Sequence, residues 1–66
     1  MQITVNGEGR DVEAGSTIAA LIDSLGLEQK AVVAQQNDDI VERSAYGGAV
    51  LQEGDVVELI RFVGGG

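Results

Sequence analysis

Ile18, Leu21, Ile22 and Leu25 stand at i, i+3, i+4 and i+7, which puts all four on one side of a helix of about two to three turns. This is the chain's single apolar helical stripe. Ser16 or Thr17 is placed to cap the exposed amides at its start, and Gly26 supplies the left-handed residue that ends many helices. A lone helix with one apolar side must lay that side on something, so the remaining segments decide the fold.

Those segments read as strands. Met1, Ile3 and Val5 alternate with Gln2, Thr4 and Asn6, the period of a half-buried strand. Asn6-Gly7 has the chemistry of a tight hairpin, with Gly9 adding slack, and a second strand is expected over 10–13 with Val12 inward. Val32, Val33 and Ala34 form a third short apolar run. Asn37-Asp38-Asp39 turns into a brief strand over 40–43. Residues 44–52 read as irregular, anchored to the core by Tyr46 and Leu51 and bent at Gly47-Gly48. Gly54-Asp55 leads into the most β-prone stretch, 56–62. The order β-β-α-β-β-β, with the helix laid across one face of a mixed sheet, is an α+β, β-grasp (ubiquitin-like) architecture. One domain is expected over 1–63, followed by a flexible glycine tail over 64–66.

Size and composition remove most function classes. A 66-residue chain builds a core worth about 3–5 kcal/mol and has no room for a deep substrate pocket. It contains neither Cys nor His, so thiol nucleophiles, imidazole bases and the commonest metal ligands are missing. A chain without disulfides suits a reducing cytoplasm. Eleven acidic residues against four basic ones give a formal net charge of -7, which argues against a nucleic-acid partner. No apolar run is long enough for a membrane span. The acids are spread from Glu8 to Glu58, either as a solvated surface or as a field that steers a partner.

What remains is the ending, Gly64-Gly65-Gly66. By composition alone it reads equally as a frayed end, a linker remnant or a cut domain boundary. The functional alternative is an arm free of side chains that threads a narrow channel; from Val63 to Gly66 it would reach about 13–14 Å. A terminal carboxylate is ionised at neutral pH and a poor electrophile, so it needs activation, for example as an acyl-adenylate. Period two along the last strand puts Val57 and Leu59 on one face and Val56, Ile60 and Phe62 on the other. If the helix covers the first set, the second is an exposed apolar patch of the kind that marks an interface; if the faces are reversed, it is core.

The sequence resembles the thiamine-biosynthesis sulfur carrier (ThiS) family along essentially its whole length. Met1-Gln2-Ile3-Thr4-Val5-Asn6-Gly7 is similar to that family's first strand and hairpin, and Gly15-Ser16-Thr17-Ile18 with Leu21-Ile22 to its helix start. Asn37-Asp38-Asp39-Ile40-Val41-Glu42-Arg43 resembles its N-G-x-I-V-P-R segment, with Asp38 in place of Gly and Glu42 in place of Pro. The stretch from Gly54-Asp55 through the last strand to Gly66 is the most specific part. The resemblance implies a protein that is not an enzyme and binds no cofactor of its own. A ubiquitin-activating-type adenylyltransferase would use ATP and magnesium to adenylate Gly66, sulfur from a cysteine desulfurase would convert it to a thiocarboxylate, and thiazole synthase would take the sulfur. Gly64, Gly65 and Val63 would enter the partners' active sites, while Ile60, Arg61 and Phe62 would form the face that partners grip. The free carrier is expected to be a cytoplasmic monomer. The alternatives are a carrier for molybdopterin, cysteine or tRNA thiolation, a protein modifier attached through Gly66 to lysines, and a plain binding module.

Overall fold

The computed structural model describes residues 1–61. Its elements are β1 (Gln2–Val5), β2 (Glu8–Asp11), α1 (Ile18–Ser24), β3 (Val32–Gln36), β4 (Asp39–Val41) and β5 (Val56–Arg61), with single 3-10 turns at Gln29–Ala31 and Arg43–Ala45. The five strands form one sheet in the order β2-β1-β5-β3-β4. β5 lies at the centre, parallel to β1 and antiparallel to β3. This mixed sheet carrying one helix is the β-grasp arrangement the strand pattern predicts.

α1 starts and stops where its sequence chemistry dictates. The Thr17 hydroxyl accepts the Ala20 amide at 3.1 Å, so the cap is Thr17 rather than Ser16. At the other end Gly26 adopts φ 74. Its amide donates to the Asp23 carbonyl and that of Leu27 to Ile22, the paired bonds of a Schellman ending. Ile18, Leu21 and Ile22 are buried; Leu25, at the end, is half-buried against the same core. That core joins them to Ile3, Val5, Val32, Ala34, Val57 and Leu59 from the sheet and to Tyr46 and Leu51 from the irregular segment. Tyr46 is fastened at its tip: its hydroxyl donates to the Val32 carbonyl at 2.7 Å and accepts the Ala34 amide at 3.2 Å.

β2 and β4 start or end differently from their sequence expectation. β2 begins at Glu8, not Arg10, because the two-residue turn at Asn6-Gly7 (φ 50 and 83) returns the chain at once, pairing Val5 with Glu8. Gly9 is therefore a strand residue opposite Thr4 rather than slack, and Val12 lies past the strand, half-buried against the core. β4 runs over Asp39–Val41 instead of 40–43. Asn37 and Asp38 take φ 52 and 74, again a two-residue turn with both central residues left-handed, so Asp39 already pairs with Gln36. β3 continues through the polar Gln35 and Gln36. Glu42, where the resembling family has Pro, has φ -67, the value proline itself fixes.

Candidate functional site

β5 alternates cleanly. Val57 and Leu59 face the helix and are buried, while Val56 and Ile60 on the opposite face are 48% and 51% exposed. The core-versus-surface question left by the period is thereby answered for these four residues. Residues directly opposite in neighbouring strands point to the same face, so the register extends the patch. Val33 stands beside Ile60, and Ile40, 68% exposed, stands beside Gln35, which lies next to Glu58. The open face of the sheet therefore carries Val56, Ile60, Val33 and Ile40, with Glu58 among them.

Of the residues expected to grip a partner, Ile60 belongs to this face. Arg61 pairs with Val32 and lines a cleft of about 330 Å³ with Gly26, Leu27, Glu28 and Ala31 on the helix side, so it is not brought together with Ile60. Phe62, Val63, Gly64, Gly65 and Gly66 lie outside the described residues. The contributions of Val33 and Ile40 come from strand register. A single strand's period cannot reveal that register; only the pairing of β3 with β4 and β5 does.

β5 is held at its start by a buried polar cluster. The Asp55 carboxylate, almost fully buried, accepts the Asn37 carboxamide at 2.9 Å, the Gln36 carboxamide at 2.8 Å and the Gln52 amide at 2.9 Å. Burial alone would raise its pKa, but these three hydrogen bonds outweigh it and hold the carboxyl below its ordinary value. Gln36 also donates to the Val50 carbonyl at 3.2 Å, which accounts for a polar end on β3. Asn37 in turn accepts the Val56 amide on its side chain at 2.9 Å and donates its own amide to the Val56 carbonyl at 2.8 Å. Asp55, directly before the last strand, is thus the centre of a clamp that sets where the strand begins.

Among the described residues no group of three or more acidic, His or Cys side chains is placed to hold a metal ion, and no helix is long and apolar enough to cross a membrane.

Comparison with known proteins gives consistent results. The ThiS family model matches residues 3–66. A sulfur carrier protein ThiS from Bacillus subtilis is 38% identical over 61 residues, covering 88% of this chain and 92% of that one. A thiazole synthase from Magnetococcus marinus is 42% identical over 66 residues, all of this chain but 20% of that protein, so the chain spans about a fifth of the length of that relative. The crystal structure of a thiamine biosynthesis protein (ThiS) from Geobacter metallireducens superposes with a TM-score of 0.84 at 32% identity, each chain covered completely.

Proposed function

The chain belongs to the ThiS family, and from that premise we propose that it is a sulfur carrier in thiamine biosynthesis, holding sulfur as a thiocarboxylate on Gly66. The observation that carries this reading is the extent of the family match, which runs to residue 66 and so includes the glycine arm as well as the fold. The placement of β5 supports it. The strand that leads to the arm is the central one of the sheet, held by β3 along its length to Arg61.

The chemistry divides between the carrier and its partners. The Gly66 carboxylate attacks the α-phosphorus of ATP held with magnesium by an adenylyltransferase, and pyrophosphate leaves. A sulfur nucleophile then attacks the activated carbonyl and AMP leaves. Where that sulfur arrives as a persulfide from a cysteine desulfurase, a second thiol frees the thiocarboxylate and departs as a disulfide. Thiazole synthase then consumes the thiocarboxylate sulfur. The chain has no Cys or His with which to perform any of these steps, so its part is to present the arm. Gly64, Gly65 and Val63 thread the partner's channel, and the open face around Ile60 docks. A partnership with thiazole synthase is supported by two such synthases that contain a stretch similar to this whole chain within their own polypeptide. The reading implies a monomeric carrier working in the cytoplasm, where these partners and ATP meet.

Incubation with the adenylyltransferase, ATP, magnesium and a sulfur source, followed by intact mass, tests the proposal. The expected result is a gain equal to one oxygen replaced by sulfur, mapped to Gly66. Conversion that persists unchanged after deletion of Gly66 would refute it.

A further inference from the structure

Asn6 forms the first half of the turn between β1 and β2, with φ 50, yet its side chain acts on a strand 53 residues away. The main-chain pairing of β1 with β5 ends where the Asn6 amide donates to the Val57 carbonyl at 2.9 Å. Beyond that point the chain turns away and β1 has no further residue to offer. The Asn6 carboxamide takes over: its Oδ1 accepts the Leu59 amide at 2.8 Å, and its Nδ2 donates to the Leu59 carbonyl at 3.3 Å. A carboxamide is planar like a peptide group, with one acceptor and two donors, so it reproduces the bonding of one more β1 residue. Leu59 stands two positions before Arg61, where the described residues end, and seven before Gly66.

We infer that Asn6 is a positioning residue for the arm. By extending the hold of β1 on β5 as far as Leu59, it fixes the course of the strand that precedes the arm. It thereby governs how often the Gly66 carboxylate reaches the activating enzyme's nucleotide. The effect on turnover rests on the carrier role proposed above; the hold on Leu59 does not.

The fold supplies its own control. Asn37 sits in the other left-handed turn, at φ 52, and its side chain also accepts an amide of β5. That amide belongs to Val56, at the far end of the strand from the arm. Asn37 also donates to the Asp55 carboxylate, so its loss should cost at least as much stability. A purely structural role would therefore lower turnover at least as much for Asn37 as for Asn6, whereas a positioning role lowers it for Asn6 alone.

The test uses Asn6→Gly, which keeps the positive φ accessible while removing both side-chain bonds, Asn6→Asp, which keeps the 2.8 Å acceptor, and Asn37→Gly. Thiocarboxylate formation is followed at saturating and limiting carrier, well below each variant's melting temperature. For Asn6→Gly, kcat is expected to fall about tenfold or more, because a small misplacement of the reacting group is costly, with KM little changed since the open face is intact. Asn6→Asp should fall in between, and Asn37→Gly should keep the wild-type kcat. By amide hydrogen exchange, Leu59 should lose about tenfold protection in Asn6→Gly, the order expected for one lost hydrogen bond, with Val56 unaffected. An unchanged kcat in Asn6→Gly, or an equal fall in Asn37→Gly, would overturn the inference. Should the wild-type chain accept no sulfur at all, the carrier reading fails by itself, and exchange at Leu59 still decides whether Asn6 holds the strand.

Discussion

Asp55 carries a charge that the fold holds in place. Three donors converge on its buried carboxylate, and they favour the ionised form in the folded chain over the unfolded one. A depressed folded pKa means that the stabilisation is fully present above the ordinary aspartate value and is lost as pH falls through the lower, folded one. Asp55→Asn turns one acceptor oxygen into a donor facing other donors. It should cost about 1–3 kcal/mol at neutral pH, and the gap from wild type should narrow as urea melts are repeated into the acid range below the usual aspartate pKa. Asp38 offers the opposite sign. It adopts φ 74 with a side chain, a conformation that costs an L-residue about 1–2 kcal/mol, against about 0.5–1 kcal/mol for the extra chain entropy of glycine. Asp38→Gly is therefore expected to raise stability by roughly 0.5–1 kcal/mol, measurable as a higher urea midpoint at unchanged slope.

At the scale of elements, β5 presents two faces of opposite consequence. Ile60→Asp sits on the open face and should cost about 1–2 kcal/mol, leaving the fold cooperative, while raising the KM of the activating enzyme for the carrier. Leu59→Asp puts an unpaired charge into the core and should abolish cooperative folding by circular dichroism. The split into two faces was legible in the sequence from period two along Val56-Val57-Glu58-Leu59-Ile60, but which of the two the helix covers was not, and the burial of Val57 and Leu59 decides it. The helix limits were legible, since Thr17 and Gly26 act locally. The start of β2, and the membership of Val33 and Ile40 in the patch, were not. They follow from turn length and strand register, which depend on pairing between distant segments. The reach of Asn6 to Leu59 was equally hidden, because Asn-Gly advertises a turn and says nothing of where the side chain goes.

For the molecule as a whole, the question is what a formal net charge of -7 does in a protein whose proposed work is to be bound and released. Charge distribution matters more than its sum here. Glu58 lies on the open face between Val56 and Ile60, whereas Arg61 lines the cleft on the helix side. A partner complementary to the open face must therefore offer an apolar surface bearing positive charge. Such complementarity acts mainly on the rate of encounter, over a range set by the Debye length, which is about 30 Å at 0.01 M salt and about 8 Å at 0.15 M. The association rate with the activating enzyme, followed by stopped flow, should accordingly fall about tenfold between those two salt concentrations, while turnover at saturating carrier stays constant. Glu58→Gln should lower the rate at low salt and flatten the dependence. A wild-type association rate that does not respond to salt would leave the acidic surface with solubility as its only role.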